Sequence, residues 1–362
     1  MKNKIRVIII PIIISMLIVG CNLSKTNSDI TDSNTKITDK TSLDKFANKG
    51  TDKKIYALIT QTTGNHYYEK QATGFKEVIE AKGDIAIVCH PDPATAYEQV
   101  SIIKLLMAQG VDSICIAAND ENALQSVLKE AMNSGIKVLS IDSKVNPSSR
   151  QVFVNQASAN EIGNLLMDAV LDISGGSGDW AILSASSQAA NQNSWIEDMK
   201  KVMQEDKYSD LNLVEVSYGD DESKKSEEKT RELLSKYPNL KVICSPTAVG
   251  IAAAAKVLDD EKSNVKLTGL GLPSEMAEYI GNKDKICPYM YLWNPIDLGR
   301  LGAYTSIELV KGSITGESGD KFSTKDMGEY TVEKSTDGGT EVILGTPIKF
   351  DSTNIDKWKN IY

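Results

Sequence analysis

From residue 54 to residue 294, short β-branched runs alternate with amphipathic helical stretches, and nothing else in the chain constrains its fold as tightly. KIYALITQ (54–61) reads as a strand, followed by a helix from about Tyr67 to Lys82. DIAIVCH (84–90) is the next strand. The segment from Ala94 to Gln109 then repeats apolar residues at Val100, Ile103, Leu106 and Met107, a helical spacing. VDSICIAA (111–118), a helix over 121–134 and IKVLSID (136–142) follow. The pattern resumes with QVFVNQ (151–156), a helix over 159–173, DWAILSA (179–185), a helix over 193–206, NLVEVSY (212–218) and a Lys/Glu-rich helix over 222–236. LKVICSP (240–246), a helix over 248–260, VKLTGLG (265–271), a helix over 274–282 and ICPYMYLWN (286–294) complete it. Alternation at these lengths implies right-handed crossovers and parallel sheets covered by helices on both faces.

The body, from about Lys54 to Tyr362, is longer than one core normally supports, so two domains are expected. The expected fold class is α/β, two doubly wound parallel-sheet lobes joined by a hinge. The first lobe spans 54–156 with a return segment at about 293–315; the second spans 157–292 with a C-terminal segment at about 316–362. Gln156 and Trp293-Asn294 are the expected hinge crossings. Ligands of open parallel sheets bind outside the carboxyl ends of the strands. Those ends are Thr60-Gln61, His90, Asn119-Asp120 and Asp142 in the first half. In the second half they are Ser184 to Gln192, Tyr218, Ser245-Pro246-Thr247 and Leu272-Pro273. Hydroxyl, amide and carboxylate groups dominate and cationic clusters are absent, which suits a neutral, hydroxyl-rich ligand.

Reaction machinery is hard to find. The chain has two histidines, His66 and His90, and no Gly-x-Ser-x-Gly elbow. GLGLPS (269–274) mimics a dinucleotide turn, but Ser274 replaces the third glycine and Pro273 intrudes. No phosphate-binding Gly-Lys-Ser/Thr loop is present. A non-enzyme without metal or cofactor is expected. The formal net charge is −9, and −12 once Lys2, Lys4 and Arg6 are removed, which argues against nucleic acid as a partner. Cys89, Cys115, Cys244 and Cys287 each lie in or beside a strand-like run without Cys-x-x-Cys spacing and read as buried thiols.

At the N-terminus, Lys2, Lys4 and Arg6 precede an apolar run over Val7–Val19, shorter than the roughly 20 residues of a spanning helix. Its ending, Leu17-Ile18-Val19-Gly20-Cys21, resembles the lipobox of bacterial lipoproteins. That resemblance implies a signal peptide over 1–20, lipidation of Cys21 and a membrane-anchored protein on the extracytoplasmic face. Residues 21–53 are polar and read as a flexible linker reaching roughly 30 Å.

Export, tether, two α/β lobes and these strand ends together resemble the solute-binding proteins of ABC importers with the type I periplasmic-binding fold. VLSIDSKVNP (138–147), NQNSW (191–195), SPTAVGIAAAAK (245–256) and GLGLPSEM with LWNPIDLG (269–276 and 292–299) are similar to the branch of autoinducer-2 receptors and rhamnose-binding proteins. Autoinducer-2 receptors hold a small cyclic tetrol with a lysine, two aspartates, a glutamine, a proline carbonyl and an alanine amide. The resemblance places Asp142 on the first aspartate, Gln192 on the glutamine, and Pro246 and Ala248 on the backbone contacts. Asn191 stands where the second aspartate is expected, and Thr60 or Gln61 where the lysine is. The resemblance implies import of autoinducer-2, with rhamnose or a similar sugar as the alternative and a ligand-presenting sensor for a membrane kinase as a further one. The implied partners are an ABC permease and ATPase, and the chain is expected as a monomer. Simpler roles stay open: Asp142 as the start of a loop, Asn191-Gln192 as the cap of a helix starting near Ser194, and Pro246 as an N1 proline. Tyr67, Tyr68 and Trp293 fit either pocket walls or core, and Trp195 reads as packing.

Overall fold

The computed structural model describes residues 52–282 and 284–362. The expected signal peptide, Cys21 and nearly all of the expected linker lie outside the described residues.

The chain begins with β1 (Ile55–Ile59), α1 (His66–Ala81), β2 (Ile85–Cys89), α2 (Ala96–Gln109), β3 (Ser113–Ile116), α3 (Gln125–Asn133), β4 (Lys137–Ile141) and β5 (Val152–Asn155). It continues through α4 (Ala159–Ser174), β6 (Gly178–Ser184), α5 (Ala190–Val202), β7 (Leu211–Tyr218), α6 (Ser223–Lys236), β8 (Leu240–Ser245), α7 (Ala248–Asp260), β9 (Lys266–Gly269), α8 (Pro273–Met276) and β10 (Met290–Leu292). α9 (Pro295–Lys311), β11 (Lys321–Ser323), β12 (Glu329–Thr331), β13 (Glu333–Lys334), β14 (Thr340–Ile343), β15 (Ile348–Phe350) and α10 (Ile355–Trp358) complete it.

A seven-stranded sheet has the order β13-β14-β5-β4-β3-β1-β2, and a four-stranded sheet the order β7-β6-β8-β9. All pairings within the second sheet are parallel; in the first, only the β13–β14 pair is antiparallel. Strands covered by helices on both faces read as continuous apolar runs, and every residue of β1, IYALI, is buried. Two such sheets, each covered by helices, form the two-lobe α/β architecture. The chain leaves the first sheet between Asn155 and Ala159, returns at Trp293-Asn294, and passes from β14 to β15 over Leu344–Pro347.

Three expectations need correction. The C-terminal segment does not belong wholly to the second lobe, because β14 pairs parallel with β5 in the first sheet. Without it, β5 would be an open edge with unpaired backbone groups. Arg150 Nη2 to Asp337 at 2.7 Å and Asn155 Nδ2 to Glu341 at 2.8 Å fasten it there. The helix expected over 274–282 is the single turn Pro273–Met276, after which Ile280 bridges to Cys287. The helix expected from 193 begins at Ala190, so Asn191 and Gln192 lie in its first turn instead of capping it.

One packing contact bears directly on the site. A Cβ at Gly74 would collide with the Ile296 carbonyl, and one at Gly299 with the Gln71 carbonyl. Glycine at both positions lets α1 and α9 approach backbone to backbone, which fixes where the first turn of α1 sits.

Candidate ligand-binding site

The carboxyl ends of both sheets border one cavity. The first lobe contributes Asn65, Tyr67 and Tyr68 from the start of α1, and Asp142 just after β4. The second contributes Asn191, Gln192 and Trp195 from α5, Asp221 after β7, and Pro246, Thr247 and Ala248 after β8. Leu270, Leu292 and Trp293 close its apolar side. The space free of protein atoms is about 370 Å³, counting the part that opens to solvent. That space fits one sugar ring.

Asp142 is at the centre of the polar network. It is only 2% exposed and adopts a left-handed backbone with φ 64°, which Asp tolerates better than most residues. Its Oδ1 accepts from the Tyr67 hydroxyl at 2.7 Å and its Oδ2 from Asn191 Nδ2 at 3.3 Å. Trp293 Nε1 donates to the same Tyr67 oxygen at 2.6 Å. Burial pushes the Asp142 carboxyl up to about 7; the Tyr67 and Tyr68 hydroxyls oppose this, and the Asp221 charge adds to it. Burial likewise raises Asp221, opposed by hydrogen bonds from Thr247 Oγ1 at 2.6 Å and Asn65 Nδ2 at 3.0 Å.

Gln192 is 8% exposed, and its Oε1 is buried without a protein partner. An unpaired acceptor of this kind costs free energy until a ligand hydroxyl or water fills it. The aromatic wall is continuous, with Trp195 edge-on to Trp293 at 5.7 Å and Trp293 edge-on to Tyr67 at 6.2 Å between ring centroids. The charged groups among the lining residues are the two carboxylates, with no Lys, Arg or His beside them. Acceptors in excess and an apolar wall suit a neutral ligand rich in hydroxyl donors.

The structure brings Asp142, Asn191, Gln192, Pro246 and Ala248 together at this cavity. Thr60 and Gln61, expected at the lysine position, are not among the residues that line it. Thr60 is fully buried, with Oγ1 at 2.7 Å from His90 Nδ1. Gln61 lies outside the lining: its Oε1 accepts from the hydroxyl of Tyr68, which does line the cavity, and its Nε2 donates to the Ala118 carbonyl. Trp195, read as packing, lines the cavity, as do Tyr67, Tyr68 and Trp293. Asn65 and Asp221 were missed. Their signal in the sequence is the Asn-His-Tyr-Tyr start of α1 and the Asp-Asp doublet two residues beyond Tyr218. Among the described residues, no cluster of metal-ligating side chains is found, and no helix is long and apolar enough to cross a membrane.

Two parallel-sheet lobes bordering a sugar-sized cavity at their strand ends define a solute-binding protein. The periplasmic binding protein domain family matches residues 56–314, and the chain belongs to that family. Among solved structures it is 54% identical to an ABC transporter solute-binding protein from Clostridium phytofermentas with bound L-rhamnose. The match has a TM-score of 0.84 and covers 86% of this chain and 99% of that one. LsrB from Clostridium saccharobutylicum, in complex with AI-2, is 22% identical with a TM-score of 0.76 over 84% of this chain and 99% of that one, a likeness of fold alone. The D-ribose/D-allose-binding protein of Pseudomonas aeruginosa is 24% identical over 228 residues, 59% of this chain and 69% of that protein. The chain is a solute-binding protein of the ABC sugar-transporter class, a family that binds and does not catalyse.

Proposed function

We propose that this protein captures L-rhamnose, or a 6-deoxyhexose close to it, and delivers it to an ABC permease and ATPase from a lipid anchor at Cys21. The observation that carries the reading is the 54% identity to a protein with bound L-rhamnose, extending over 99% of that chain. The cavity supports it: Asp142, Asp221 and Gln192 offer acceptors to ring hydroxyls, and Trp195, Trp293 and Leu270 offer an apolar wall to a methyl group. This reverses the expected ranking, in which autoinducer-2 came first. The likeness to the AI-2 complex is one of fold, the cavity has no lysine, and Asn191 replaces the second aspartate. Within the site, Asp142, Asn191, Gln192, Pro246 and Ala248 are assigned to the ligand shell, and Thr60 and Gln61 to the layer behind it.

Titration calorimetry with L-rhamnose, D-ribose and autoinducer-2 tests the assignment. L-rhamnose is expected to bind tightest, and tighter binding of autoinducer-2 overturns it. Replacement of Cys21 by alanine is expected to abolish lipid labelling; labelling that persists in that variant removes the anchor.

A further inference from the structure

Asn65, the residue before α1, does two jobs at once. Its Oδ1 caps the helix by accepting from the Tyr67 amide at 2.9 Å, while its Nδ2 crosses the cleft to Asp221 Oδ2 at 3.0 Å. Asp221 is held to receive it. Asp220 and Asp221 both adopt left-handed backbone, with φ 52° and 56°, a conformation sparsely populated by residues with a Cβ. The turn is fixed by Gly219 N donating to Ser184 O at 2.9 Å and Asp220 N donating to Ala185 O at 2.6 Å. Thr247 then holds the other carboxylate oxygen. Backbone strain persists where the surroundings over-determine it, and here they aim one carboxylate at the opposite lobe.

The position of this pair matters. Asp221 and Gln192 border the inner cavity and also an outer cleft of about 550 Å³, lined by Gln61, Asn119, Asp120 and Ser186 among others. The Asn65–Asp221 bond therefore lies at an edge that the sugar-sized space shares with this outer cleft. The neighbouring His66–Glu275 pair also crosses the cleft, at 2.9 Å, but its side chains are 63% and 29% exposed, and exposed pairs contribute little. The amide–carboxylate bond is the stronger of the two, because its carboxylate is the more desolvated.

We propose that the Asn65–Asp221 bond is a gate made by the protein alone, closing the lobes over the cavity with or without sugar and setting how long a bound sugar stays. The proposal rests on the sugar-binding reading for its kinetic part only. A ligand shifts an open–closed equilibrium by its differential affinity for the two states. A direct bond between the lobes adds a constant bias toward closure, which slows release and populates the closed form of the empty protein.

Asn65→Ser separates the two jobs of the residue, because serine still caps a helix but is too short to reach Asp221. Trp195 and Trp293 in the cavity wall give a fluorescence signal for stopped-flow mixing with L-rhamnose. The expected result is a release rate raised roughly tenfold, the effect of losing one hydrogen bond to a charged group, with little change in the association rate. X-ray scattering of the ligand-free variant is expected to show a larger radius of gyration than the parent protein. Asn65→Asp, which keeps the cap and sets two carboxylates face to face, is expected to open the cleft further and stands in if the serine variant folds poorly. In a double-mutant cycle of Asn65→Ser with Asp221→Ala, the release rates are expected to be non-additive. An unchanged release rate, or additivity in the cycle, overturns the gate. If the parent protein binds none of the sugars tried, the functional reading fails; the gate is then judged by scattering alone, and equal dimensions of parent and variant overturn it.

Discussion

The two walls of the cleft are built in opposite ways. On the first lobe, hydrogen bonds are already spent inside the protein: Trp293 donates to Tyr67, Tyr67 to Asp142, and Tyr68 to Gln61. On the second lobe, Gln192 presents a buried oxygen with no protein partner, and Pro246 and Ala248 border the cavity where the chain enters α7. A wall that satisfies itself is rigid before any ligand arrives; a wall with free valences depends on the ligand to complete it. The first lobe therefore orients Asp142, and on the proposed reading the second carries the groups that a sugar would satisfy. Substitutions on the first wall should move stability and affinity together or in opposition, whereas those on the second should move affinity alone.

The largest expected effect comes from Asp142→Asn. Because burial raises the folded-state carboxyl from 3.8 to about 7, the stability linked to this group is fully present below about pH 4 and is lost as the pH rises toward 7. Ionisation at pH 8 thus costs the empty protein up to about 4 kcal/mol, at 1.36 kcal/mol per unit. Asparagine tolerates the left-handed backbone and escapes that cost, so the variant should melt higher at pH 8 and show a flatter stability profile between pH 4 and 8. L-rhamnose affinity should meanwhile fall by roughly 10- to 150-fold, as a charged acceptor worth about 1.5–3 kcal/mol becomes a neutral one. Thermal melts and calorimetry read both; a variant that loses stability at pH 8 or keeps full affinity breaks the account of this wall.

Tyr67→Phe comes next. It deprives Asp142 of a donor and leaves the buried Trp293 Nε1 without an acceptor, a loss of about 1–3 kcal/mol for each group left unpaired. Stability should drop in urea unfolding, and affinity should drop with it. By contrast, Gln192→Ala removes an oxygen that no protein group uses, so the midpoint of unfolding should barely move while affinity falls by roughly 5- to 10-fold, about one net hydrogen bond. Equal losses of stability in the two variants would erase the distinction between the walls.

Much of this was legible in the sequence, and the gaps have physical causes. Strand–helix alternation places Asp142, Asn191, Gln192 and Pro246 at or just beyond carboxyl ends of strands, where the cavity lies, and the family resemblance adds Ala248. Which strand ends approach one another depends on contacts far apart in the chain, and periodicity is blind to them. Asn65 meets Asp221 across 156 residues, and Asp221 is aimed by a left-handed turn with no local apolar pattern. Thr60 and Gln61 have the right address, but Thr60 turns to His90 and Gln61 to Tyr68 and the outer cleft. Trp195 and Trp293 are 4% and 3% exposed, as buried as core residues, so no sequence pattern separates a pocket wall from a core. β14 is four residues long, and only the vacant edge of β5 decides which sheet it joins.

The smallest expected effect, and the one that most sharpens the comparison, comes from Asn191→Asp, where the two walls touch. Asn191 Nδ2 donates to Asp142 Oδ2 at 3.3 Å, so the substitution sets two carboxylates at hydrogen-bonding distance with no lysine in the cavity to neutralise them. Both cannot stay ionised; the pair should bind one proton well above the ordinary carboxylate range and titrate as a unit. Once protonated, the pair restores a donor between positions 191 and 142, which is the role of the asparagine amide. Rhamnose affinity should then be several-fold below that of the parent protein at pH 8 and recover as the pH falls to 5.5. In the parent protein the opposite trend is expected, because acidification converts the Asp142 carboxylate from an acceptor of sugar hydroxyls into an acid. Calorimetric titrations across that range decide the matter: parallel pH profiles for parent and variant would mean that Asp142 and Asn191 do not share a ligand. A gain in autoinducer-2 affinity without a lysine would restore that signal as the natural ligand.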